Sequence, residues 1–455
     1  MKSHKRMKGK VLLIGAGRSA AALIRFLAEK VRTAHWQVTV SDVSKDFLDK
    51  QLAPYPELQA EALDWNPHKM PERFLMSFDV IISLLPPHMH FYVAELCVKH
   101  RKHLITASYI SPEMAALHQA ALDAGVLLLN EMGLDPGIDH MSAMQMMDAI
   151  RKEGGRITAF RSYTGGLIAP AYDNNPWHYK FTWNPRNVVL AGQGTPAMYR
   201  EQGDYKYVPY HQLFKRVQPI HIDGYGEFEA YPNRDSLHYM PLYGLQDVAT
   251  MLRGTIRRRG FCSAWNCLVQ LGLTNDALLI ETKNLTWRAL VNAFLPYDPQ
   301  LSVEEKVLRY LQIPAGSHEM HCLQWLGLFE EEPVPAPSAQ MTPAALLQLL
   351  LEQKWALQAG DRDMIVMQHD IEFELNGKRQ REVSELVVEG EANGITAMAK
   401  TVGLPLGIAA ELLIEGNLSL RGVQAPVHAE IYEPALKRLQ SYGIHFKQKK
   451  ETTAL

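Results

Sequence analysis

The chain has 455 residues, 47% of them apolar and 21% charged, enough for roughly two to four domains whose cores need no disulfide support. Its 47 Lys and Arg nearly balance 49 Asp and Glu, leaving a formal net charge of −2, so no bulk field draws it to nucleic acid or to an anionic membrane. Four cysteines without a CxxC pair are too sparse for a disulfide framework and suit a reducing, cytoplasmic setting.

The basic start MKSHKRMKGK reads as a solvated tail, because Gly15, Gly17 and Arg18 interrupt the apolar run that follows it. No stretch approaches the roughly 20 apolar residues of a membrane span. KVLLIGAG (10–17) reads as a short buried strand and SAAALIRFLAEKV (19–31) as a helix with apolar residues three and four apart. Further strand-like runs follow at QVTVSDV (37–43), FDVIISLL (78–85), KHLITASY (102–109) and VLLLNEM (126–132). Helical stretches such as HFYVAELCVKHRK (90–102) and SPEMAALHQAALDAG (111–125) lie between them, the latter opened by Ser111-Pro112 and closed by Gly125. Short buried strands alternating with helices imply a parallel, doubly wound α/β sheet.

After Asn130 the pattern changes. GLDPGIDHMSAMQMMDAIRKEGG (133–155) is a turn leading into an amphipathic helix, and aromatic, Gly- and Pro-rich segments (162–183 and 223–236) then predict an α+β region. From about 243 to 355 the helix signal dominates, including DVATMLRGTIRRRGFCSAWNCLVQLG (247–272), with a Pro-rich connector at 330–340. Strand-like segments return at 363–375 and 384–391, and 397–416 is a Gly- and Pro-interrupted helical run.

Gly15-Ala16-Gly17-Arg18-Ser19-Ala20 fits G-x-G-x-x-G/A between a strand and a helix. In that setting the glycines give a tight turn and let backbone N–H groups approach a dinucleotide pyrophosphate at the helix N-terminus. Asp42 ends the second strand, 25 positions after Gly17. A carboxylate there accepts ribose hydroxyls and repels a 2′-phosphate, which favours NAD over NADP. Ligands of such sheets bind beyond the strand C-termini, which points to Leu84, to Thr106 through Tyr109 and to Leu134 through Pro136. Arg234 and Arg257 carry planar forks suited to carboxylates, although Arg257-Arg258-Arg259 reads equally as a solvated helix face. Asp135 reads equally as a turn residue. His88, His90, His318 and His321 lack metal-ligand spacing, so no metal is expected.

These segments, taken in order, resemble saccharopine dehydrogenase of the L-glutamate-forming type and the C-terminal half of the bifunctional aminoadipic semialdehyde synthase. The resemblance rests on ITASYISP (105–112), NEMGLDPGIDHM (130–141), SYTGGLIAP (162–170), NNPWHYKFTW (174–183), YPNRDS (231–236), LRGTIRRRGF (252–261), DMIVM (363–367) and AMAKTVGLP (397–405). It implies a homodimer with a variant Rossmann dinucleotide-binding domain (1–134 plus 394–455). A mixed α/β saccharopine-binding and dimerisation domain (135–255 plus 360–393) and a helical domain (256–359) would follow. It places the cofactor, NAD or NADP, on Gly15, Ala16, Gly17, Arg18, Ser19, Asp42, Val43, Asp64, Leu84, Thr106, Ser108, Leu134, Asp135, Pro136 and Phe181. Substrate would meet Ser108, Tyr109, Asp135, Arg234, Thr255, Ile256 and Arg257, with Asp135 and Tyr109 as catalytic candidates. The implied reaction is NAD(P)-dependent interconversion of saccharopine with L-glutamate and α-aminoadipate 6-semialdehyde through an imine. A related imine-reducing dehydrogenase of the carboxynorspermidine type, or a non-catalytic NAD-binding scaffold, would share the glycine loop. Three departures stand out: Thr164 replaces a frequent Cys, Arg258 replaces an aromatic, and Asp42 differs from the Arg-containing loop of the fungal NADP-dependent forms.

Overall fold

Seven strands lie parallel in the order Gly422–Gln424, Leu127–Leu129, His103–Thr106, Val80–Ser83, Lys10–Ile14, Gln37–Asp42, Gln59–Ala62. The computed structural model describes residues 9–392 and 394–453, so most of the basic start falls outside the described residues. Strands covered on both faces read as continuous apolar runs, and Val11, Leu12, Leu13, Ile14, Val80, Ile81 and Ile82 are fully buried. Two elements escape that reading. The helix Lys45–Leu52, capped by Ser44, leads to the edge strand Gln59–Ala62, all four of whose residues are exposed and carry no apolar pattern. The segment 111–125 forms two helices, Pro112–Ala116 and His118–Ala124, meeting at Leu117.

The sheet belongs to a compact unit made of residues up to Arg156 together with Gly390–Lys447. It runs past 134 because the helix Ile138–Lys152 packs on Ala429–Gln440, where the Tyr432 hydroxyl donates to Asp148 Oδ2 at 2.7 Å. Residues Ile138 through Met144 of that helix are all buried, more than a one-sided amphipathic helix would bury.

The run expected to be interrupted at 397–416 is one unbroken helix, Ala397–Glu415, with Pro405 inside it. By length and composition alone it could cross a membrane, yet 83% of its apolar window is buried within the fold. It lies against the helix Ala21–Ala34 so closely that a Cβ on Gly403 would stand 3.0 Å from the Leu23 nitrogen, and one on Gly407 2.5 Å from the Phe26 ring. Beside this contact Arg25 clamps Glu391 with two hydrogen bonds, 2.6 and 2.9 Å, and Lys400 lies 3.4 Å from the same carboxylate.

The second unit comprises Ile157–Glu389 and the segment from Gln448. Its nine-stranded mixed sheet is built around Thr250–Arg258, which runs parallel to Arg156–Ile168 and antiparallel to Gly226–Pro232. Residues 250–258 are thus a central strand, where the sequence predicted helix. The helix begins only after Gly260, at Phe261–Gln270. The β-branched Thr250, Thr255 and Ile256 suit a strand with neighbours on both sides. The helices Phe261–Gln270, Trp287–Ala293, Val303–Leu311, His318–Leu326 and Pro343–Lys354 share one hydrophobic cluster with the sheet, from Tyr163 through Trp355 to Val366.

The Arg25–Glu391 clamp makes stability depend on pH. Hydrogen bonds and charge from Arg25 hold the Glu391 carboxyl down, from 4.5 to about 2. Its contribution is therefore complete above pH 4.5 and lost as pH falls toward 2. Glu391→Gln is expected to cost about 1 kcal/mol at neutral pH after solvent screening. The gap between the urea midpoints of wild type and variant should narrow steadily as pH falls from 4.5 toward 2, and a constant gap would refute the assignment.

Candidate cofactor and substrate site

The glycine loop occupies the place where strand order reverses, between Lys10–Ile14 and its neighbours Gln37–Asp42 and Val80–Ser83. Gly15 has φ +93°, donates its N–H to the Ser41 carbonyl at 2.8 Å, and comes so near the next strand that a Cβ would lie 3.0 Å from the Leu84 carbonyl oxygen. The fold itself demands glycine there. Gly17 is different: its φ is −62° and, its chain neighbours aside, no atom of the described residues lies within 4 Å of where a Cβ would be. The chain around it has no steric need for glycine, and the open space is the cradle a pyrophosphate requires over the Arg18–Ala20 turn and the helix behind it. The residues present therefore fit a dinucleotide.

Asp42 does more than sequence reasoning assigned to it. Its Oδ2 accepts the Ala16 N–H at 2.9 Å, bracing the glycine loop, while Oδ1 accepts the Ser44 N–H at 3.4 Å. Val43 beside it is 72% exposed. Asp64, after the edge strand, is exposed and caps the following turn by accepting the Asn66 N–H at 2.9 Å.

Leu84, Thr106, Ser108, Tyr109, Leu134, Asp135 and Pro136 follow the C-terminal ends of three successive strands, so the fold gathers them with the glycine loop, Asp42 and Asp64 on one edge of the sheet. Tyr109 is 37% exposed, and Asp135 is half-buried. Sequence reasoning considered His90 only as a metal ligand and set it aside. In the fold its buried ring links the same strand ends: Nδ1 lies 2.9 Å from Ser83 Oγ, and Nε2 lies 2.9 Å from Ser108 Oγ and 3.2 Å from Thr106 Oγ1. Burial pushes this imidazole down to about 4, so it is neutral near pH 7. A second buried pair supports the loop from below, with Glu131 Oε2 2.8 Å from His140 Nε2 and Oε1 accepting the Ile110 N–H at 3.0 Å. A hydroxyl at each of two strand ends (Ser83, Ser108) was the only sequence signal for the His90 network. Among the described residues no group of His, Cys, Asp and Glu is placed to hold a metal ion.

The remaining candidates belong to the second unit. Thr255, Ile256 and Arg257 lie inside the strand Thr250–Arg258. Arg257 is 5% exposed and sits among aromatic rings, 5.1 Å from the Tyr179 centroid, 5.2 Å from Phe261 and 5.9 Å from Tyr231. One Nη donates to the Ile256 carbonyl at 3.0 Å, Nε has no partner, and among the described residues no carboxylate pairs with it. The solvated helix face is thereby excluded for Arg257. Phe181 is buried in the adjoining cluster, 5.3 Å from Trp355 and 6.1 Å from Tyr179. Arg234 is exposed in the loop after Gly226–Pro232, with a left-handed φ of +46°, and its carbonyl accepts the Met198 N–H.

Comparison with known proteins agrees with this architecture. The saccharopine dehydrogenase NADP-binding domain family matches residues 11–129, and the saccharopine dehydrogenase C-terminal domain family matches 133–444. The chain belongs to the saccharopine dehydrogenase family. It is 33% identical to a Schizosaccharomyces pombe saccharopine dehydrogenase [NADP(+), L-glutamate-forming], over 96% of this chain and 98% of that one. It is 36% identical to the Arabidopsis thaliana alpha-aminoadipic semialdehyde synthase, over 98% of this chain but 45% of the synthase, so it spans about half of that longer protein. The apo saccharopine dehydrogenase (L-Glu forming) structure from Saccharomyces cerevisiae superposes with a TM-score of 0.87 at 31% identity, covering 97% of this chain and 100% of that one. A homospermidine synthase from Legionella pneumophila, at TM-score 0.56 and 10% identity, shares the fold. The protein is thus an NAD(P)-dependent oxidoreductase of the saccharopine dehydrogenase family.

The two glycines of the loop should respond differently to substitution. Gly17→Ala places its Cβ in open space, so its stability should stay within about 0.5 kcal/mol of wild type, while its affinity for NADH or NADPH falls at least about tenfold. Thermal unfolding and nucleotide fluorescence titration measure the two effects. Unchanged affinity would remove the phosphate role from Gly17.

Proposed function

We propose that this enzyme interconverts saccharopine with L-glutamate and α-aminoadipate 6-semialdehyde, with NAD preferred to NADP. The observation that carries the substrate reading is Arg257, a guanidinium buried among aromatic rings without a protein carboxylate. An isolated buried charge is costly unless a ligand completes it, and a substrate carboxylate is the complement its fork accepts. A bound nicotinamide would supply the hydride acceptor for the lysine-side carbon of the secondary amine, and hydrolysis of the resulting C=N bond would give the aldehyde and free glutamate with release of a proton. The chain's own residues position and handle protons. Arg257 and the exposed Arg234 are assigned to substrate carboxylates, and holding both reactant ends supplies much of the rate. Asp135 and Tyr109 are assigned to the reacting nitrogen and its water, as acceptor and donor.

Asp42 supports the cofactor preference. A carboxylate that braces the glycine loop at the end of the second strand repels a 2′-phosphate, although curated relatives carry NADP(+) in their names. Asp42→Asn combined with Val43→Arg keeps an acceptor for Ala16 and adds a cation beside it. The ratio of kcat/KM for NADP to that for NAD should rise at least about tenfold. An unchanged ratio would remove Asp42 as the discriminator.

The reaction is tested by following reduced cofactor from saccharopine with NAD or NADP, and assaying glutamate in the products. Cofactor binding without turnover in either direction would refute it. Arg257→Met should raise KM for saccharopine about 100-fold, the value of a charge-assisted contact of roughly 2.7 kcal/mol. The melting temperature should hold or rise, because a buried charge is removed. A lowered melting temperature with unchanged KM would make Arg257 a packing residue instead.

A further inference from the structure

We infer that His90 is a positioning residue of the strand-end site, holding Ser108 as a hydrogen-bond donor toward bound ligand by presenting an Nε2–H to its hydroxyl oxygen. The inference rests on the proposed function and on the family resemblance that sets Ser108 against cofactor and substrate, and it begins with Ser83. That hydroxyl is fully buried, and His90 Nδ1 at 2.9 Å is its one side-chain partner among the described residues. Two buried hydroxyls, Ser83 and Thr106, compete for the one ring acceptor; Ser83 lies nearer its nitrogen, 2.9 Å against 3.2 Å, so we assign Ser83 as the donor and Nδ1 as the acceptor. A neutral imidazole carries one ring proton, and it then lies on Nε2.

That Nε2–H faces two oxygens, Ser108 Oγ at 2.9 Å and Thr106 Oγ1 at 3.2 Å. Thr106 Oγ1 also accepts the Ser108 N–H at 3.3 Å, which ties the two residues together after their strand ends. With its oxygen engaged as an acceptor, the Ser108 hydroxyl has its own proton left to give. Ser108 is half-buried, while Ser83, His90 and Thr106 are buried, so the proton that can meet a ligand is that of Ser108. The opposite tautomer would take the Ser108 proton inward and present only lone pairs to a ligand oxygen. A buried histidine between two strand ends therefore sets the polarity of a contact it does not itself make.

The ring nitrogen shifts of His90 in the isotope-labelled full-length protein read the tautomer directly. We expect Nε2 protonated and Nδ1 bare in wild type, and a change in that pattern in Ser83→Ala. An Nδ1–H tautomer in wild type overturns the inference. Kinetics then separate positioning from packing. His90→Leu should raise the Kd for reduced cofactor or the KM for saccharopine about tenfold or more. In a Ser108→Ala background the same change should cost less than about threefold, since the group it acts through is gone. His90→Gln, whose amide can accept from Ser83 and donate to Ser108, should restore most of the loss, and it serves if the leucine variant does not fold. Losses that multiply in the double variant, with no rescue by glutamine, overturn the inference. The tautomer and the cofactor Kd are read without turnover. A wild type that binds cofactor but leaves saccharopine unchanged would therefore refute the proposed reaction alone.

Discussion

Two glycines set the depth at which the helix Ala397–Glu415 meets the helix Ala21–Ala34. A Cβ at position 403 would press on backbone at Leu23 and Ser19, and one at 407 on the Phe26 ring. The helix being met starts directly behind the glycine loop, so its position sets that of the Ala16–Ser19 backbone. Asp42 fixes the other side of the loop through the Ala16 N–H. The Arg25–Glu391 clamp closes the first turns of the same helix against the chain entering the late segment. A phosphate cradle without side chains of its own to spare is thus held by close packing on one flank and a carboxylate on the other.

The two units handle charge differently. Around Ser83, Thr106 and Ser108 the strand-end edge works with neutral donors and acceptors, hydroxyls and one imidazole, arranged by direction more than by field. The second unit keeps a full positive charge at Arg257 inside a ring of aromatic faces, which soften its cost but leave it incomplete. Lys180, also buried there, is in contrast fully answered by Asp361 at 2.7 Å. The chain can pair buried cations when structure alone is at stake, and at Arg257 it does not.

Much of this was legible in the residues. The glycine loop, the strands buried on both faces and the strand-end loops follow from local pattern, because a parallel sheet makes apolar runs and turn residues coincide with its geometry. The long ordered motifs that placed the chain in its family run through both units. What stayed hidden depended on tertiary context. Gln59–Ala62 is an exposed edge strand and shows no periodicity. Thr250–Arg258 was read as part of a helical stretch, yet Arg253 and Arg257 are both buried on one face of a strand, where alternation, not a helical turn, brings them together. Ala397–Glu415 is apolar all round because the fold surrounds it. His90 showed no periodic pattern: its partners lie 7, 16 and 18 residues away and meet only when the strands align.

The first unit is closed by residues that are made last. Its sheet takes an edge strand from Gly422–Gln424, and its nucleotide-loop helix takes its covering from Ala397–Glu415, after the whole intervening body from Ile157 to Glu389. During synthesis the first 156 residues must therefore wait on the ribosome with an uncovered apolar helix face and an unpaired strand. A chain stopped before Ala397 would keep every motif of the nucleotide loop and still lack the wall that shapes it.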